Sequence, residues 1–167
     1  AFHVVEHISF DELRTVVIES LRILKPGGLL LMETPNPENI VVATRNFYLD
    51  PTHQRPIPPQ LLSFVPEYYG FARVKTLRLQ ESAGLASSNA PTLRDVLAGV
   101  SPDYAVIAQK EAAPEQMQLF DIEFERNYGL SFETLVQRYE ERIARAEQAE
   151  AVRQRIRSSR PWRALRS

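Results

Sequence analysis

The sequence has 167 residues, 25% of them charged and 44% hydrophobic, with 20 Lys and Arg against 21 Asp and Glu and no cysteine. A chain of this length holds one domain with a core and an appendage. The net charge of -1 excludes a globally basic nucleic-acid binder, the missing cysteine excludes disulfides and thiolate metal sites, and no apolar run is long enough to cross a bilayer.

Phe2 to Val5 is a short apolar segment that predicts the end of a strand, with Glu6 and His7 leaving it at the carboxyl edge, where α/β proteins place their ligands. The Ala1-Phe2-His3 start lacks the basic and apolar regions of a signal peptide, so a cytoplasmic location is expected. Ser9, with Glu12 three residues on, is the signature of a capping box. The helix that follows is expected to bury Leu13, Val16, Val17, Ser20, Leu21 and Leu24, at steps of three and four. Pro26 cannot continue a helix, and Gly27 or Gly28 can take the left-handed conformation that closes one. Leu29 to Met32 is an unbroken apolar run, which predicts a strand covered on both faces, as in a parallel sheet.

After Glu33, the run Pro35-Asn36-Pro37 keeps the chain irregular until Ile40, where a short helix toward Phe47 and Tyr48 is expected. Asp50 to Pro59 holds four of the twelve prolines and predicts an ordered loop without regular structure. Gln60 to Tyr69 reads as a helix capped by Gly70, and Phe71 opens a strand through Val74, Leu77 and Leu79. Glu81 to Ala90, rich in Ser, Gly and Ala, predicts a flexible loop. Leu93 to Val100 predicts a short helix, and Tyr104 to Ala108 a second apolar strand.

At Lys110 the composition changes, dividing the chain into an α/β part at 1–110 and a helical part at 111–167. Phe132, Leu135 or Val136, Tyr139, Ile143, Ala146, Ala149, Val152 and Ile156 form a narrow apolar seam among Glu, Gln and Arg, which predicts a long helix. Residues 130–157 are therefore expected to dimerise as a coiled coil or to lie along a helical partner; the competing reading is a helix folded back on its own domain. Six arginines and Trp162 close the sequence, a composition suited to peripheral contact with an anionic membrane surface.

Three motifs in order, His3-Val4-Val5-Glu6-His7, Leu24-Lys25-Pro26-Gly27-Gly28 running on to Glu33-Thr34-Pro35-Asn36, and Asp50-Pro51-Thr52-His53-Gln54-Arg55-Pro56, resemble the class I S-adenosylmethionine-dependent methyltransferases over residues 1–110. The likeness is to the group associated with O-antigen and other surface-glycan synthesis. It implies a partial, truncated Rossmann-like α/β sheet of about four strands with flanking helices, S-adenosylmethionine as cofactor, and a saccharide or glycan-phosphate acceptor. Such enzymes hold the cofactor on a glycine-rich turn, and the sequence contains no Gly-x-Gly-x-Gly, so binding by this chain alone is not expected. The alternative is a non-catalytic methyltransferase fold kept as an interaction module in glycan assembly.

Methyl transfer needs an oriented acceptor and, for a hydroxyl, a base. His7 and His53 are the candidate bases. Glu33, Asn36 and Arg55 are the candidate acceptor contacts, Arg55 for a phosphate or carboxylate, and Glu6 with His7 the candidate cofactor contacts. The site is read without a metal; His3, Glu6, His7 and distant His53 are the donor set that a zinc-like ion would require. Strand alternation sets His3 and Glu6 on opposite faces unless the strand ends between them.

Overall fold

The computed structural model describes residues 1–158. The arginine-rich end with Trp162 lies outside them, apart from Arg153, Arg155 and Arg157. The elements are α1 (Phe10–Ile23), β1 (Leu29–Pro35), α2 (Ile40–Thr44), α3 (Pro59–Tyr69), β2 (Arg73–Leu79), α4 (Ala83–Ala86), α5 (Leu93–Ala98), β3 (Asp103–Gln109), α6 (Pro114–Gln118), α7 (Asp121–Glu125) and α8 (Phe132–Ser158), with 3-10 turns at Val5–His7 and Asn46–Leu49.

The chain is α/β, but its sheet has three strands, in the order β1-β3-β2, rather than about four. Both pairings are antiparallel, because β3 is inserted between β1 and β2, which run in the same direction. The expected first strand is reduced to one parallel bridge, Phe2 with Glu33. His3 stops it: its φ of +50° turns the chain out of the ladder, and the Val5–His7 turn follows at once.

α1 forms where its local chemistry says it should. The Ser9 side chain accepts from the Glu12 amide and the Glu12 carboxylate accepts from Ser9, a complete capping box, and this bonding holds the Glu12 carboxyl below its usual range. Leu13 and Val17 are buried, whereas Val16 and Ser20 are only partly covered. Gly27 takes the left-handed conformation, φ +76°, at the turn into β1. Gly70 does the same, φ +101°, to cap α3.

α1 and α3 pack together on one face of the sheet, and their core with Leu30, Met32, Val65, Val106 and Ala108 is the larger of two clusters. Burial of each of the larger of these side chains contributes about 1.5–3 kcal/mol. β1 is not covered equally on its two faces: Leu30, Met32 and Thr34 are buried while Leu29, Leu31 and Glu33 are half-buried. Over the second face come Phe120 and Phe124, with Arg73 of β2 bonded to Asp121 and to the Met117 carbonyl, so residues 117–124 return to the sheet before α8 begins.

α8 starts on the domain and then leaves it. Leu135 is buried with Leu130, Val96 and Val100 in the second cluster, against which Phe132, Val136 and Tyr139 also pack. Ile143 and Val152 are exposed. The 81–90 segment, expected to be flexible, contains α4 and is laced to α8: Arg138 donates to the carbonyls of Ala86 and Ser88, Arg142 to Pro91 and Arg145 to Asn89. No helix among the described residues is long and apolar enough to cross a membrane.

Candidate functional site

The termination of the first strand at His3 builds the site. Because Val5–His7 is a tight turn and not a strand, Glu6 folds back under His3, and their side chains meet at 3.2 Å (His3 Nδ1 to Glu6 Oε1). Glu6 is fully buried, and its second oxygen accepts a 3.0 Å hydrogen bond from Thr34 Oγ1 on β1. His3 Nε2 lies 3.6 Å from Glu33 Oε1, so one imidazole bridges two carboxylates. A third carboxyl, Asp103 at the start of β3, is held above the usual carboxylate range by burial and by the charges of Glu33 and Glu6, partly offset by His3.

The Asp50–Pro56 loop is bonded onto this turn. Gln54 donates its backbone N–H to the Glu6 carbonyl at 2.8 Å and its side-chain amide to the His7 carbonyl at 2.8 Å. At the other end of the loop, Tyr104 Oη on β3 donates to the Ile57 carbonyl at 2.7 Å. The loop thereby carries His53 to His7, with ring centroids 4.6 Å apart, and His53 also packs against Phe47 at 4.4 Å.

Hydrogen bonding fixes the tautomer of both imidazoles. The Phe47 carbonyl can only accept, so at 2.6 Å it takes a proton from Nδ1 of His53. Thr52 Oγ1 gives its single proton to Asp50 Oδ1 at 2.6 Å, and so accepts from Nδ1 of His7 at 2.8 Å. The bonds from Thr52 also hold the Asp50 carboxyl below its usual range, so it is ionised at neutral pH. In the neutral rings, both Nε2 lone pairs remain for a substrate or an ion.

Donor atoms of Glu6, His7 and His53 all lie within 4.8 Å of one another. These three side chains could hold a divalent ion, with Phe47 O and Thr52 orienting the rings, the arrangement found around ligating histidines. His3 is not a fourth member of this set; it is turned to Glu6 and Glu33. Beside His53 opens a cleft of about 200 Å³ walled by Pro35, Val42, Phe47 and Asp103.

The other sequence candidates are placed differently. Asn36 is fully buried; it donates to the Ser101 carbonyl at 2.8 Å and accepts from the Glu38 amide, so it braces the loop after β1. Arg55 is exposed on the same loop as His53 and lies over the Phe10 ring at 5.2 Å. Asp103, Thr52 and Phe47 were not singled out by sequence. For Thr52 the Asp50-x-Thr52 spacing, typical of an Asx turn, is a usable signal; Asp103 and Phe47 join the site through strand order and loop packing alone.

A fit to S-adenosylmethionine is not complete in these residues. Both Glu6 oxygens already hold one bond each, from His3 and Thr34, so a ribose hydroxyl or an ion would share this carboxylate through its remaining lone pairs.

No family model matches the chain. It is 36% identical over 89 residues, 53% of its length, to a "Probable S-adenosylmethionine-dependent methyltransferase" of Mycolicibacterium smegmatis, and spans about a third (34%) of that curated relative. Its fold is similar to the crystal structure of a SAM dependent methyltransferase from Archaeoglobus fulgidus, with a TM-score of 0.56 and 30% identity over 65% of this chain and 57% of that one. Sequence and fold together relate this chain to part of the S-adenosylmethionine-dependent methyltransferases.

Proposed function

We propose that the chain carries the acceptor side of an S-adenosylmethionine-dependent O-methyltransferase, acting on a saccharide or glycan phosphate in bacterial surface polysaccharide synthesis, with the sheet continued in the Rossmann-like manner by the cofactor-binding part. The observation that carries this reading is the approach of the His7 and His53 rings to 4.6 Å, each with its Nδ1 committed and its Nε2 without a hydrogen bond among the described residues, with His53 lining a cleft at the carboxyl end of β1. The resemblance to two methyltransferases supports it.

The chain's own part is to hold and deprotonate the acceptor. A hydroxyl lying in the cleft donates to His53 Nε2, which takes its proton as the oxygen becomes nucleophilic. Asp50 Oδ2, 3.9 Å from that nitrogen, stabilises the imidazolium formed. His7 and Glu33 position sugar hydroxyls, and Arg55, without an acidic partner among the described residues, receives the phosphate. In such enzymes S-adenosylmethionine supplies the methyl group.

The test follows the imidazole resonances of His7 and His53 by NMR while glucose 1-phosphate and nucleotide sugars are added. Shifts at both rings, weakened by Arg55→Ala, support the reading. Silence at both rings up to saturating acceptor removes it.

α8 favours a second reading. Its exposed Ile143 and Val152 continue the seam of Tyr139 beyond the domain, which suits a homodimer or a helical partner along 130–157, and so an interaction module in glycan assembly. Sedimentation of the chain against Ile143→Glu checks it: a dimer that becomes a monomer supports it, and a monomer in both cases removes the homodimer.

A further inference from the structure

The sheet face opposite α1 and α3 is roofed without being filled. By register, Leu29 of β1, Ile107 of β3, and Lys75, Leu77 and Leu79 of β2 point to this side. Phe120 and Phe124 come over them and leave a half-open, mostly apolar cavity of about 270 Å³. The roof is anchored at both ends. Arg73 donates to Asp121 at 2.6 Å, to the Met117 carbonyl and to Gln109, and its guanidinium lies 4.2 Å from the Phe124 ring. Beyond α7, Leu130 N–H donates to Ser101 Oγ at 2.9 Å. Between these anchors the roof stands off the strands, and the mostly apolar walls of the space suit an apolar guest.

One end of the cavity is polar. Lys75 and Tyr128 line both it and a neighbouring groove of about 410 Å³, walled by Asn127, Ser131 and Thr134 along the outer edge of β2. The Lys75 ammonium has no hydrogen bond or ion pair among the described residues, whereas neighbouring Arg78 is neutralised by a two-pronged bond to Glu38. Glu123, also in the cavity lining, is exposed to solvent. An uncommitted cation therefore sits where the hydrocarbon compartment meets the polar one.

We propose that this cavity binds a single-chain amphiphile with an anionic head, its tail under Phe120 and Phe124 and its head at Lys75. The inference is independent of the His7–His53 site, which lies at the carboxyl end of β1.

The experiment is calorimetric titration of the full chain with dodecanoate below its micelle concentration, with dodecyl phosphate, dodecanol and dodecyltrimethylammonium as parallel arms. Saturable one-to-one binding of an anionic amphiphile is expected, about tenfold weaker for dodecanol and for Lys75→Gln. Ile107→Trp, which fills the cavity, is expected to abolish binding; Leu29→Phe serves as the second filling variant if the first does not fold. Preference for dodecyl phosphate over dodecanoate assigns a phosphate head, and the reverse a carboxylate. Absence of saturable binding, equal binding of the trimethylammonium amphiphile, or binding indifferent to both Lys75→Gln and a folded filling variant overturns the proposal.

Discussion

The imidazoles of His7 and His53 stand 4.6 Å apart at 59°, and each hands its Nδ1 proton to a different acceptor, Thr52 Oγ1 for His7 and the Phe47 carbonyl for His53. Two rings from segments 46 residues apart are thus held with the same nitrogen free, next to the buried Glu6 carboxylate. Zn²⁺ is accordingly expected to raise the thermal midpoint of the chain, with reversal by chelator and no effect on His53→Ala. Thr52→Val leaves the donor set intact but releases His7, and is expected to weaken Zn²⁺ binding by about 10–100-fold. Calorimetry on the three proteins checks both statements.

Tyr104 links the sheet to the loop that carries His53. Its ring is fully buried in the main core, burial raises its hydroxyl far above the usual range, and that hydroxyl donates to the Ile57 carbonyl. Tyr104→Phe keeps the ring and leaves the carbonyl unpaired, at an expected cost of about 1–3 kcal/mol in denaturant unfolding. Amide exchange in 50–57 is expected to quicken more than in α1, because the lost bond is the loop's tie to β3.

Local signals were legible and long-range ones were not. Ser9 with Glu12, Gly70 after α3 and the apolar run of β1 each specify their element within a few residues, and the structure has all three. The pairing of β3 between β1 and β2 depends on contacts across 60 or more residues of β1 and about 30 of β2, and it makes antiparallel what the apolar run suggested was parallel. His7 and His53 were legible as residue types on opposite sides of one fold edge. Their convergence rests on Gln54 and Tyr104, whose roles no spacing announces. His3 shows the same limit: alternation separates it from Glu6, and one positive φ joins them.

Arg138, Arg142 and Arg145 hold the carbonyls of residues 86–91 from α8. These charge-assisted bonds lie in partly exposed positions, so their replacement is expected to cost little in global stability. Arg138→Ala combined with Arg142→Ala should shift the thermal midpoint by no more than about 2 °C, yet accelerate amide exchange across 83–90. Hydrogen exchange read by mass spectrometry distinguishes this local release from general unfolding, which would accelerate β3 as well.

Asp103 gives the sign of one pH effect. Burial, with Glu33 and Glu6 nearby, raises its folded-state affinity for a proton above that of the unfolded chain, and His3 offsets only part of this. The contribution of such a carboxyl is fully present below its unfolded value, near 3.8, and is lost as pH rises through the higher folded one. Above the folded value the ionised Asp103 therefore opposes folding. Asp103→Asn removes the charge and keeps the shape, so the variant is expected to melt above the native chain at pH 7, by about 1–2 °C once solvent screening of a half-buried group is allowed for. The difference should shrink as pH falls toward 4, where the native carboxyl takes up its proton. Melting curves at pH 7, 5 and 4 for the two proteins decide it; an advantage that stays constant with pH would place the effect in packing and not in the charge.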